Sequence, residues 1–135
     1  MIAVVVDASA VMEYLLQTPR AELLAQVLHD SDAVSLHVPA LCDVEVAGVL
    51  RRGLLARKLD EPRAGEAMLD YLDLPITRHG HTSLLARMLH LRGNFSAFDA
   101  AYVSLAERLG AELLTADSAL AQAARAHTSL AVRNV

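Results

Sequence analysis

Four acidic residues, Asp7, Glu45, Asp99 and Asp117, lie far apart in the chain and are set where a fold can bring them together. Asp7 directly follows the apolar run Ile2-Ala3-Val4-Val5-Val6, and an acid abutting so apolar a strand is costly to bury without a partner. Asp117 stands just past Leu113-Leu114-Thr115, Asp99 falls in the first turn of a helix opened by Ser96, and Glu45 lies in a helix opened by Pro39. Each acid also has an ordinary explanation. Asp7 and Asp117 are good helix caps, Ser96-Ala97-Phe98-Asp99 matches a capping box, and a helical Glu is commonly solvated. Against the last, Leu41, Val44, Val46, Val49 and Leu50 leave Glu45 little polar face, and Asp43 reads as the solvent-facing acid of that stretch. The case therefore rests on joint arrangement. Two carboxylates about 4 Å apart repel by roughly 4 kcal/mol at an effective dielectric near 20, so a cluster of them calls for protonation or a cation. Hard oxygen donors favour Mg²⁺ or Mn²⁺ over Zn²⁺. Among the histidines, His79-Gly80-His81 lacks the third ligand of a zinc site and reads as surface.

The elements that would position these acids follow from the apolar pattern. Ile2–Val6 has the β-branched continuity of a central parallel strand buried on both faces. A helix is expected over about 9–16, and another whose first turn holds Pro19, running to about His29. Further strands are expected at 33–38, 74–77, 112–115 and 129–132, the second of these with its proline at an edge or strand start. Helices are expected from Pro39 to about Arg52 with Gly53 as the stop, over 62–72, over 81–91, from Ser96 to Leu109 before Gly110, and over 118–125. This alternation predicts a three-layer α/β/α domain around a mainly parallel sheet. Right-handed crossovers align the loops after each strand along one sheet edge, where ligands of such sheets bind.

Composition narrows the function classes. The chain has 135 residues, the usual size of one domain, and its residues are 54% apolar and 4% aromatic with no Trp, so the core must be Leu, Val and Ala. A net charge of −4 argues against a protein that coats DNA with a broad basic face. It leaves room for a nucleic-acid enzyme whose carboxylates themselves lower the charge. Lys58 is the only lysine. Arg51, Arg52, Arg57 and Lys58 form a local positive cluster near the Glu45 helix, of which Arg51 and Arg52 are candidates for phosphate contacts. With Cys42 as the single cysteine there is no intrachain disulfide, which suits a reducing compartment. No signal-peptide pattern or membrane-length apolar run is present, so a soluble, cytoplasmic protein is expected.

The residues also resemble a known family. Val4-Val5-Val6-Asp7-Ala8-Ser9-Ala10, Val44-Glu45-Val46 with Leu50-Arg51-Arg52, Phe98-Asp99-Ala100-Ala101-Tyr102-Val103-Ser104-Leu105-Ala106, and Leu113-Leu114-Thr115-Ala116-Asp117 are similar, in order and spacing, to the four motifs of PIN-domain ribonucleases. The third is the most specific. The chain's size resembles that of VapC-type toxins of bacterial toxin–antitoxin pairs. The resemblance implies a single PIN domain over 1–135 with about five strands and a Mg²⁺- or Mn²⁺-dependent endoribonuclease that inhibits translation and growth. It implies Asp7, Asp99 and Glu45 as metal ligands, with Asp117 serving a second or water-mediated ion. Ser9 and Thr115 would orient a carboxylate or bond metal-bound water. An RNA substrate, a VapB-like antitoxin, a homodimer and products with 5′-phosphates are further implications. A receiver domain would need a lysine at the end of a late strand, and a haloacid-dehalogenase-type phosphatase an Asp two residues after Asp7; neither is present. The remaining alternative is a catalytically silent PIN scaffold that binds protein or RNA.

Overall fold

The computed structural model describes residues 1–30 and 32–135. Its centre is β1 (Ile2–Val6), whose Val4, Val5 and Val6 are at most 2% exposed, as a strand covered by helices on both faces must be. Parallel partners flank it on each side. β2 (Val34–Pro39) pairs with β1 and with β3 (Ile76–His79), while β4 (Glu112–Thr115) pairs with β1 and with β5 (Val132–Asn134). The order β3-β2-β1-β4-β5 is thus parallel throughout. Every crossover is helical: α1 (Ala8–Leu15) and α2 (Ala21–Leu28) join β1 to β2, and α3 (Leu41–Leu55) and α4 (Glu61–Asp73) join β2 to β3. The chain then returns through α5 (Leu85–His90), which has a single 3₁₀ turn on either side, and α6 (Ala97–Leu109) to β4, and α7 (Ser118–His127) leads to β5. Helices α1 to α4 pack on one another, whereas α6 runs across β1, β2 and β4, which gives the expected three layers. No helix among the described residues is long and apolar enough to cross a membrane.

The strand order has a direct consequence for function. Where β1 sits between β2 and β4, the crossovers leave in opposite directions, and the carboxyl ends of β1 and β4 open onto a crevice at that switch point. The register pairs Val6 with Leu114, and the Asp7 amide continues the ladder by donating to the Leu114 carbonyl at 2.9 Å. Asp7 and Thr115 therefore emerge side by side.

Several boundaries differ from the sequence expectation. Pro19 and Arg20 precede α2 rather than starting it, and Pro39 ends β2 rather than opening α3. Gly53 lies inside α3. The helix stops at Leu55, and the chain turns at Arg57, which takes the left-handed conformation at φ 58°. Gly53 instead admits a close approach: a Cβ there would stand 2.6 Å from Leu59 Cδ1, and the Gly53 carbonyl receives the Lys58 and Leu59 amides. Strand β3 begins after Pro75, two residues later than expected, and lies at the sheet edge. The 81–91 helix shortens to α5 between its 3₁₀ turns. The last strand falls at Val132–Asn134, not 129–132. Gly110 does end α6 in the left-handed conformation, at φ 60°.

A carboxylate cavity at the switch point

Asp7 occupies the cap position of α1, yet its side chain makes no cap bond. Two hydroxyls converge on its Oδ2 instead: Ser9 donates at 2.6 Å and Thr115 at 2.9 Å. The Ser9 and Thr115 oxygens are 3.1 Å apart, and each also accepts an amide of the β4–α7 turn, Ala116 to Ser9 and Asp117 to Thr115, both at 3.0 Å. This network locks a buried carboxylate to the ends of two central strands. Ser9 bonds both Asp7 and the turn, and Thr115 is fully buried.

Asp117 does cap α7, accepting the Ala119 and Leu120 amides on Oδ1. That function and a place in the site coexist, since only one of its oxygens takes the cap. Asp99 shows half of a capping box: its amide donates to Ser96 Oγ at 3.1 Å, so the Ser96 hydroxyl caps α6 while the Asp99 side chain lines the cavity. Glu45, one turn into α3, accepts the Tyr102 hydroxyl on Oε1 at 2.7 Å. Asp43, expected to face solvent, is 44% exposed and is held by Arg78 at 2.8 Å and Tyr71 at 2.6 Å.

All four acids line one cavity of about 840 Å³. Ser9 and Arg52 share its wall, with His81, Phe98 and the apolar side chains of Met12, Leu41, Val44 and Val49. Arg51 does not reach it and faces a separate groove between α3 and α4. Sequence reasoning set His81 aside and did not consider Phe98. The chain's few aromatics gave the available signal: Tyr71, Tyr102 and Phe95 are core residues, whereas Phe98 is 60% exposed at the cavity. A second cavity of about 650 Å³ opens at the opposite edge of the sheet, but there Arg87 and Glu107 neutralise one another.

The acids respond to one another electrostatically. Burial pushes the Asp7 carboxyl above its ordinary pKa, the Ser9 and Thr115 hydroxyls oppose the rise, and the Asp117 charge adds to it. Burial likewise raises Glu45, opposed by the Tyr102 hydroxyl and reinforced by the charges of Asp7 and Asp99. Asp99 is raised by burial and then by Asp7 and Asp117. Repulsion of this kind is what a cation relieves, and the donors are all hard oxygens. As the side chains stand, no three His, Cys, Asp or Glu groups among the described residues are close enough to enclose an ion. Asp7 is pinned by its hydroxyls and Glu45 is held by one oxygen on Tyr102, while its other oxygen and the half-buried Asp99 carboxylate carry no side-chain bond among the described residues. The donor set fits a divalent cation in its chemistry.

Residues 4–126 match the PIN domain family. The chain belongs to the PIN domain family. It is 37% identical to Ribonuclease VapC9 of Mycobacterium tuberculosis over 129 residues, covering 96% of this chain and 97% of that one. It is 35% identical to Ribonuclease VapC12 of the same organism over 119 residues, covering 88% and 90%. In fold, this PIN domain superposes on the crystal structure of PAE2754 from Pyrobaculum aerophilum with a TM-score of 0.67 at 20% identity, covering 97% of this chain and 83% of the other. It also superposes on VapBC2 from Rickettsia felis, solved bound to a DNA fragment from its promoter, with a TM-score of 0.66 at 13% identity, covering 98% of both.

Proposed function

We propose that this PIN domain is a metal-dependent endoribonuclease, the toxin of a type II toxin–antitoxin pair, that cuts RNA at the carboxylate cavity and so inhibits translation and growth. What supports the reading above all is the convergence of Asp7, Glu45, Asp99 and Asp117 on one cavity that also holds Arg52. The relatives named as VapC ribonucleases point the same way. Asp7, Asp99 and Glu45 are the residues that would hold Mg²⁺ or Mn²⁺, with Asp117 at its margin. Such an ion, when bound, supplies an activated water and offsets charge on the scissile phosphate and its leaving oxygen. Ser9 and Thr115 keep Asp7 oriented, and water rather than a ribose 2′-hydroxyl attacks, leaving a 5′-phosphate on the product. The partners that accompany this reading are an RNA substrate, a VapB-like antitoxin that covers the apolar part of the surface, and a second copy of the chain in a homodimer.

The two adjacent arginines give the reading a sharp test. Arg52 faces the cavity and Arg51 does not. A charge-assisted bond to phosphate contributes about 1.5–3 kcal/mol, so Arg52→Ala should raise the KM for an RNA substrate by roughly tenfold or more. Arg51→Ala should leave KM within about twofold, in line with the small effect of exposed charges. Steady-state kinetics on the two variants checks this. Equal losses from both would move RNA binding off the cavity and onto the outer face of α3.

A further inference from the structure

Tyr102 stands on α6 with no exposed surface, within the hydrophobic core. A phenylalanine would fill the same volume without bringing a hydroxyl into the interior, and a buried hydroxyl without a partner is destabilising. The hydroxyl has a partner. It donates to Glu45 Oε1 at 2.7 Å, linking α6 to α3 across 57 residues of sequence. Tyr102 is the hydrogen-bond partner found for the Glu45 carboxylate among the described residues. The contrast with Asp7 is instructive. Asp7 is fixed by Ser9 of α1 and by Thr115 at the end of β4, while Glu45 sits on a helix wall and is half-exposed, with a long side chain of three rotatable bonds. Three acids of the cavity follow strand ends or helix starts, where the backbone sets their direction. Glu45, in mid-helix, is directed by the hydroxyl of Tyr102 on α6.

We infer that Tyr102 is a positioning residue for the metal site, its phenol anchoring Glu45 by one oxygen so that the carboxylate faces the cavity when the ion arrives. This rests on the metal-dependent reading above. Hydrogen-bond partners that orient ligands typically contribute 10–100-fold to metal affinity.

The test is Mn²⁺ binding by calorimetry to the metal-stripped full chain, for wild type, Tyr102→Phe, Glu45→Gln and the double variant. Tyr102→Phe should bind Mn²⁺ 10–100-fold more weakly while its far-ultraviolet dichroism stays that of wild type. The double variant should bind no more weakly than Glu45→Gln alone, because a residue acting through Glu45 has nothing left to position. A folded Tyr102→Phe with wild-type affinity, or fully additive losses in the double variant, would overturn the role of Tyr102 alone. A wild type that binds no Mn²⁺ would overturn the metal reading with it. Should Tyr102→Phe fail to fold, infrared difference spectra of wild type with and without Mg²⁺ decide. A shifted tyrosine C–O stretch supports the anchor, and an unchanged band at saturation overturns it.

Discussion

Replacing Asp7 by Asn should lower RNA cleavage by roughly a thousandfold or more and leave the domain folded. The size follows from position. Asp7 is the most deeply buried acid of the cavity, 6% exposed, so its charge acts where water screens it least. A ligand that holds a catalytic ion supports several kcal/mol of charge stabilisation at the reacting phosphate, and each 1.36 kcal/mol is a factor of ten in rate. Asn keeps the shape and one oxygen able to accept from Ser9 and Thr115, so the strand ends remain tied. It also removes a charge that burial penalises, so the metal-free variant should melt at or above the wild-type temperature. Single-turnover cleavage and thermal melting of the same preparation check both halves. Cleavage within about tenfold of wild type by a folded variant would remove Asp7 from the reaction.

The second large effect is stabilisation by the ion. A ligand at about 100 times its dissociation constant that binds only the folded state adds about 2.7 kcal/mol, which for a domain of this size is a rise in Tm on the order of 10 °C. The pH dependence has a definite sign. Asp7, Glu45 and Asp99 all have raised pKa values when folded. Across the window from the ordinary carboxylate pKa up to the raised values, the folded chain therefore holds more protons than the unfolded one. The stability these groups contribute is present below that window and is lost as pH rises through it. Metal ligands must be deprotonated, so Mn²⁺ competes with those protons and its effect grows across the same window. Melting curves with and without Mn²⁺ should lie close together at the acid end and diverge above it. A separation independent of pH would mean that the ion binds elsewhere.

The parts of the fold legible from sequence are those where one local signal dominates. The run Ile2–Val6 has no polar residue to place on a surface, so only a central strand suits it, and β1 is that strand. Gly110 and the strand Glu112–Thr115 were equally direct. The errors lie where tertiary contact overrode local preference. Gly53 looked like a helix stop, but α3 runs through it with Leu59 packed closely against it, and the turn moved to Arg57. The last strand is short and largely exposed, so no apolar alternation marked it. In the site, the four acids, Ser9 and Thr115 were visible because motif order carried them. The bond from Tyr102 to Glu45 was not, since Tyr102 looked like an ordinary member of an apolar helix and only the tertiary fold brings its hydroxyl to Glu45 on α3. The split between Arg51 and Arg52 was equally hidden: on a helix, consecutive residues point about 100° apart, and the sequence does not say which one faces the cavity.

The most direct test of the central claim is cleavage of total RNA by the purified chain, freed of any partner protein and stripped of divalent ions, as Mn²⁺ or Mg²⁺ is added back, beside an EDTA control and the Asp99→Asn variant. The account predicts cutting that appears with the ion, disappears in EDTA, leaves 5′-phosphate ends and is lost in folded Asp99→Asn. Cutting that persists in EDTA, or that folded Asp99→Asn retains, would contradict it. A folded wild type that cuts no RNA with either ion would contradict it as well, and would leave the PIN domain as a binding module.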